Sequence, residues 1–147
     1  MRSTSRARTS SGTDRLGFLQ LLESAVRERE PVVRLDEALR RRRFEVLPAG
    51  GLAQRTRAML KVEDGCANFC AYCVIPYARG PVRSLPLEAA VEETRRLARE
   101  GYREIVLTGI EISSWGRDLP GRPELTELIE AVCGAAEGMR VRLGSLE

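Results

Sequence analysis

The chain has 147 residues, the length of one ordinary domain, with 24 Lys+Arg against 21 Asp+Glu and a net charge of +3. It contains no histidine, which excludes a Ser-His-Asp triad, a Cys-His dyad, histidine-ligated zinc or haem, and an imidazole base. At 43% hydrophobic and 31% charged it can bury a core; no stretch approaches the roughly 20 apolar residues of a membrane span, and +3 is too small to argue for nucleic-acid binding alone.

The charge is unevenly spread. Residues 1–60 carry 13 Arg and 7 acids, whereas residues 61–147 carry 11 cations and 14 acids, so the two parts differ by nine charges and read as different structural units. Residues 1–11 hold three arginines, six Ser/Thr and almost nothing apolar, the composition of a disordered tail. A secretory signal is excluded there by the missing apolar segment.

Residues 15–29 are predicted helical, with Leu16, Leu19, Leu22 and Val26 forming one apolar stripe, Asp14 as N-cap and Pro31 as the stop. Residues 36–43 read as a short helix ending in the run Arg40-Arg41-Arg42-Arg43, either a solvated face or a phosphate-contacting patch. Pro48, Gly50 and Gly51 mark a loop within a linker over 31–56.

From residue 56 the pattern is regular. Arg57 to Val62 alternates as a strand and residues 63–80 form a cysteine-rich loop. Residues 86–100 form an amphipathic helix with Leu87, Ala90, Val91, Thr94, Leu97 and Ala98 on one face, Pro86 in its first turn and Gly101 after its end. Arg103 to Thr108 is a short buried-type strand. A loop with Gly109, Gly116 and Gly121 leads to a second helix, residues 123–136, opened by Pro123 and closed by Gly138. Its stripe is Leu125, Leu128, Ile129, Val132, Cys133 and Ala136, which predicts a buried, structural Cys133. Arg140 to Leu143 is a third strand. The order strand-helix-strand-helix-strand predicts an α/β fold of βαβ units with parallel strands. Three such strands would leave an edge and a face uncovered, so the chain reads as cut short.

Cys66, Cys70 and Cys73 are spaced C-x3-C-x2-C in the loop leaving the first strand, on the carboxyl side where parallel sheets bind ligands. A disulfide framework would leave one cysteine over. Zinc needs a fourth ligand, which only Glu63 or Asp64 offers nearby. Thiolates also hold iron–sulfur clusters, and three on four irons leave one iron open.

The Cys66-Cys70-Cys73 spacing, with Tyr72 before the last cysteine, resembles the radical S-adenosylmethionine signature. The text Lys61-Val62-Glu63-Asp64-Gly65-Cys66, Ile75-Pro76-Tyr77-Ala78-Arg79-Gly80-Pro81-Val82-Arg83-Ser84, Leu107-Thr108-Gly109-Ile110-Glu111-Ile112 and Arg142-Leu143-Gly144-Ser145-Leu146-Glu147 is similar to the methylthiotransferases. The wording is most like the MtaB type, and less like the MiaB or RimO types. The resemblance implies a partial radical SAM (β/α) barrel, its first three parallel strands and two helices, over residues 57–147. Before it would lie a helical remnant of an N-terminal domain at 12–30 and the linker. It implies a [4Fe-4S] cluster on Cys66, Cys70 and Cys73 that binds S-adenosylmethionine and cleaves it to a 5′-deoxyadenosyl radical. It further implies addition of a methylthio group to carbon 2 of N6-threonylcarbamoyladenosine at tRNA adenosine-37.

In this scheme Tyr72 lies near the adenine, Thr108, Gly109 and Glu111 meet the methionine end, and Ser145 and Glu147 face the cofactor. Arg79 and Arg83 contact RNA phosphate or cofactor carboxylate, or else form surface ion pairs. The implied partners are tRNA and an electron donor, in the cytoplasm, with no membrane or DNA. The family's second [4Fe-4S] cluster needs three more cysteines, and residues 1–65 contain none. The chain is therefore expected to be a fragment that does not complete methylthiolation alone. A different class of reading is a non-catalytic metal-binding module with an Arg-rich RNA-interacting first third.

Overall fold

The computed structural model describes residues 18–28, 37–50 and 56–146. Nine elements of helix and strand follow in chain order: α1 (Phe18–Glu28), β1 (Arg57–Lys61), β2 (Glu63–Asp64), α2 (Ile75–Arg79), β3 (Arg83–Ser84), α3 (Leu87–Arg99), β4 (Glu104–Thr108), α4 (Leu125–Ala135) and β5 (Arg140–Leu143).

The main sheet has the order β1-β4-β5 with both pairings parallel. Register aligns Ala58, Ile105 and Val141 in one row, and Leu60, Leu107 and Leu143 in the next. Because side chains alternate along a strand, these rows share one face. Ala58, Leu60, Ile105 and Leu107 are buried there in one cluster with Ala90 and Leu97 of α3 and Leu128 and Val132 of α4. The helices also pack against each other. The two strand–helix–strand passages are the βαβ units expected from the alternation of period-2 and period-3.6 patterns.

The helix ends have local causes. Pro86 is the N-cap of α3, and Gly101 takes φ +86° just past its end. Glu124 and Glu127 form a reciprocal capping box on α4. The buried Thr94 hydroxyl is satisfied by the Ala90 carbonyl at 2.7 Å, and the Trp115 indole N–H by the Leu85 carbonyl at 2.9 Å.

The opposite face of the sheet carries Arg57, Met59 and Lys61, then Glu104, Val106 and Thr108, then Arg140 and Arg142. Glu104 pairs there with Arg57 at 2.5 Å, Arg142 at 3.5 Å and Arg140 at 3.8 Å. Met59 is exposed on this face. Within the described residues β1, β4 and β5 make an open three-stranded parallel sheet, with helical crossovers and no closed barrel.

Several expectations need correction. The expected α1 stripe is exposed: Leu19 and Val26 are 66% and 69% exposed, Leu22 is exposed too, and Ala25 is the buried residue. The less exposed face is the neighbouring one, with half-buried Phe18 and Leu21 beside Ala25, so the helix carries two adjacent apolar rows and periodicity does not choose between them. Leu16, Asp14 and Pro31 lie outside the described residues. In place of a helix near 36–43, only a 3-10 turn forms, Ala38–Arg40. The arginines beyond it do not share one face. Arg40 pairs with Glu37 in solvent, Arg42 turns back onto the Leu39 and Arg41 carbonyls, and Arg41 donates to the Ala78 and Arg79 carbonyls at the end of α2. Cys133, expected in the core, is exposed, because the α4 face that packs is the one bearing Leu128, Val132 and Ala135.

Residues 37–50 lie against the body of the fold. The Ala49 N–H donates to Glu93 at 2.6 Å, the Ala49 carbonyl accepts from Arg96 at 2.6 Å, and the Phe44 ring sits 5.0 Å from the Lys61 ammonium. Pro48 and Gly50 are in this irregular stretch, and Gly51 lies outside the described residues.

Candidate functional site at the carboxyl edge of the parallel sheet

Three loops meet where β1, β4 and β5 end. Val62 N–H donates to the Thr108 carbonyl at 2.8 Å and Gly144 N–H to the Leu107 carbonyl at 2.9 Å, so the ladder carries on past the strand ends. Ile112 N–H reaches the Ser145 carbonyl at 3.2 Å, which ties the loop after β4 to the loop after β5. The cysteine loop, residues 65–82, rises beside them.

This loop is closed at its base. β2 and β3 pair antiparallel, with Glu63 opposite Ser84 and Asp64 opposite Arg83. Sequence periodicity offers no sign of a two-residue ladder, nor of α2 within the loop. The limbs pass so closely that a Cβ on Gly65, which has φ +92°, would lie 2.1 Å from the Pro81 carbonyl oxygen. Cys66 N–H donates across the gap to the Gly80 carbonyl at 3.1 Å.

Asp64 organises the charges at this base. It meets Lys61 at 3.2 Å, Arg79 at 3.3 Å and Arg83 at 3.4 Å. Burial alone would raise its carboxyl, but the Lys61 ammonium and the Arg79 and Arg83 guanidiniums outweigh that and hold it below the usual carboxylate range. Arg83 is fully buried and also donates to the Arg79 and Pro81 carbonyls. Its expected contact with RNA or a cofactor is thereby replaced by a structural role, and its pairing is internal rather than on the surface. Arg79 is partly exposed in its pair with Asp64.

The three cysteines differ in access. Cys66 is 9% exposed, Cys73 half-buried and Cys70 exposed; all three are free thiols. Asn68 N–H donates to Cys66 Sγ at 3.4 Å, and Cys73 N–H closes a turn on the Cys70 carbonyl at 2.9 Å. Between them, Phe69 takes φ +48° and stacks edge-on to Tyr77 at 5.6 Å. Tyr72 is 95% exposed. Among the described residues, no three His, Cys, Asp or Glu side chains are gathered to hold a single metal ion, so a preformed one-ion zinc site is not present. A cluster makes a different demand, since each thiolate takes a separate iron.

The loop after β4 rests on Glu63. One carboxylate oxygen, Oε2, accepts Ile110 N–H at 2.7 Å and Glu111 N–H at 2.9 Å. A Cβ on Gly109 would lie 2.6 Å from that oxygen, so glycine is required for the approach. Oε1 is buried with no partner. Burial pushes the Glu63 carboxyl up to about 7; the two N–H bonds oppose this, and the Asp64 and Glu111 charges add to it. The sequence offers Glu63 only as a zinc donor; its packing against a loop 47 residues away is invisible without the fold.

Glu111 is the best-supported side chain in this loop. It accepts the Ser113 hydroxyl at 2.5 Å, the Ser114 hydroxyl at 3.1 Å and the Asn68 amide at 2.8 Å. The Ser113 bond leads in lowering its carboxyl, against partial burial, with Ser114, Asn68 and the Arg117 charge assisting. Thr108 ends β4 half-buried, Ser145 is exposed with φ +57°, and Glu147 lies outside the described residues. The structure thus brings Cys66, Gly109, Glu111 and Ser145 to one edge, gives Glu63 the loop after β4 to hold in place of a zinc ion, and adds Asn68, to which the sequence assigns no role.

A family model for the radical SAM superfamily matches residues 60–145, from β1 through β5. The chain belongs to the radical SAM superfamily. The radical SAM chain is similar to the threonylcarbamoyladenosine tRNA methylthiotransferase MtaB of Bacillus subtilis (strain 168), 36% identical over 135 residues, 91% of this chain and 30% of that protein. It is 51% identical over 81 residues to the tRNA-2-methylthio-N(6)-dimethylallyladenosine synthase of Chloroflexus aurantiacus, covering 55% of this chain and 17% of the relative. It is 49% identical over 82 residues to the ribosomal protein uS12 methylthiotransferase RimO of Geobacter sulfurreducens, covering 56% of this chain and 18% of that one. The chain spans less than a third of the length of each of these relatives. Radical SAM proteins use a [4Fe-4S] cluster and S-adenosylmethionine. The donor set fits such a cluster: three unpaired thiols on one loop, with neither histidine nor carboxylate among them.

Proposed function

We propose that this chain is the cluster-bearing part of a tRNA methylthiotransferase of the MtaB type, an enzyme acting on N6-threonylcarbamoyladenosine at adenosine-37. The observation that carries the reading is the extent of the likeness. It runs over 91% of the chain with the Bacillus MtaB, but over only 55–56% with the Chloroflexus and Geobacter relatives of the other two types.

Cys66, Cys70 and Cys73 would hold the cluster. When bound, it supplies the electron that cleaves S-adenosylmethionine to a 5′-deoxyadenosyl radical. The chain's own residues prepare the place for this. The β2–β3 base and the Asp64 pairs fix both ends of the cysteine loop. Gly109 lets the loop after β4 come close to Glu63, which orients the Ile110 and Glu111 backbone. Thr108, Gly109, the Glu111 main chain and Ser145 would line the methionine side of the cofactor and Tyr72 its adenine side. The chain's fourth cysteine is Cys133, so ligands for a second cluster are not in this sequence. No helix among the described residues is long and apolar enough to cross a membrane; the cytoplasm is the compartment proposed, with tRNA as partner.

Anaerobic reconstitution tests the cluster. The protein should take up about four irons with three thiolate ligands, and Cys66→Ala, Cys70→Ala and Cys73→Ala should each lose the iron–sulfur absorbance. Full absorbance in all three variants, or zinc in place of iron, would refute it. Disrupting the gene and analysing tRNA nucleosides tests the subtype. Methylthio groups should vanish from N6-threonylcarbamoyladenosine; loss from isopentenyladenosine instead would assign the MiaB type.

A further inference from the structure

Glu111 occupies a position from which it joins two loops at the carboxyl edge. Its backbone N–H is held by Glu63 at 2.9 Å, which anchors it to the strand side. Its carboxylate is held by Ser113 and Ser114 from its own loop. The remaining contact crosses to the cysteine loop, where Oε2 accepts the Asn68 side-chain amide at 2.8 Å. Asn68 in turn donates its backbone N–H to Cys66 Sγ at 3.4 Å. A carboxylate already engaged by two hydroxyls and an amide has few lone pairs left for a ligand. It is, however, well placed to hold Asn68.

We propose that Glu111 is a positioning residue for the cysteine loop, holding Asn68 so that its N–H stays directed at the Cys66 sulfur. The inference rests on the iron–sulfur reading of the three cysteines and deepens it. Hydrogen bonds to ligating sulfur tune a cluster's reduction potential, because they stabilise the more negative, reduced state. Asn68 is exposed and its loop bends through a positive φ at Phe69, so the backbone there needs an external hold. Glu111 supplies one from the rigid side of the site.

The charge of Glu111 also acts on a nearby cluster, and a single substitution would mix the two effects. Glu111→Gln and Glu111→Ala both remove the charge, but only glutamine leaves an acceptor facing Asn68. The test is the midpoint potential of the anaerobically reconstituted protein without S-adenosylmethionine, read by the electron paramagnetic resonance of the reduced cluster. The Glu111→Ala protein should have a more negative midpoint than Glu111→Gln, and adding Asn68→Ala to both should abolish the difference. Asn68→Ala alone, which keeps the charge and alters an exposed side chain, should shift the midpoint negative from wild type.

A second measurement needs no metal. In the apo protein, alkylation of Cys66 relative to exposed Cys70 should rise several-fold in Glu111→Ala and stay near wild type in Glu111→Gln. Equal midpoints and equal alkylation ratios in the two Glu111 variants would overturn the inference while leaving the cluster reading intact. So would a loss confined to the spectral response on adding S-adenosylmethionine, which would make Glu111 a cofactor contact. Failure of the wild-type chain to bind iron would instead sink the cluster reading, and this inference with it.

Discussion

Glu63 shows how far one buried side chain can influence both site and stability. Its carboxyl is pushed from the ordinary 4.5 to about 7 by burial, so between those values the folded chain holds a proton that the unfolded chain releases. Stability from this group is fully present below about 4.5 and is lost as pH rises through about 7. The carboxyls of Asp64, Glu93 and Glu111 are shifted the other way, so their contributions fall off at more acidic pH than this window. Urea unfolding at pH 5 and pH 8 should therefore show a decline on the order of 2–3 kcal/mol, and Glu63→Gln should flatten it. Glutamine keeps an acceptor for the Ile110 and Glu111 N–H groups; an unchanged pH slope in that variant would mean another group carries the dependence. Neither the burial of Glu63 nor its partners could be read from the sequence, where it is an acid among charged neighbours. The cysteines were legible for the opposite reason: their spacing is local, and cysteine is the residue type that supplies a thiolate wherever the fold places it.

At the scale of elements, the cysteine loop is held by a two-residue ribbon and a charge cluster. β2 and β3 are too short for a periodic signal, and their pairing joins residues about 20 positions apart. What stabilises them is the pairing of Asp64 with buried Arg83, supported by Lys61 and Arg79. Asp64→Ala would leave the Arg83 guanidinium buried without its carboxylate, a change that costs about 3–5 kcal/mol. Thermal unfolding should show the loss, and a change within about 0.5 kcal/mol, the range of an ordinary surface substitution, would show that water replaces the pair. The longer elements were readable because α3 and α4 repeat their apolar positions over several turns. Helix α1 repeats them as well, yet presents that stripe to solvent and buries Ala25. Periodicity identifies a helix and its faces; it does not say which face finds a neighbour.

Among the described residues, one face of the parallel sheet is covered by α3 and α4 and the other is open. This asymmetry predicts sharply different costs for similar truncations. Leu107→Ala, in the covered row, should destabilise by about 2–5 kcal/mol. Met59→Ala, exposed on the open face, should change stability by no more than about 0.5 kcal/mol. Similar losses at both positions, measured by denaturant midpoints, would mean that the open face is covered in solution. The open face also explains why Arg57, Arg140 and Arg142 converge on Glu104. Register places Arg57 and Arg140 on either side of it, and the face they share admits water.

The sequence by itself determined the strand–helix–strand–helix–strand order, the three-thiol loop and its place after the first strand. Those features depend on local periodicity and on spacing within a few residues. The tertiary structure alone decided what the carboxylates at this edge hold. Glu63 and Glu111 act on partners 43–48 residues away. Parallel strands joined by helical crossovers bring their carboxyl ends together whatever the separation along the chain, and hydrogen bonds across such gaps leave no periodic trace.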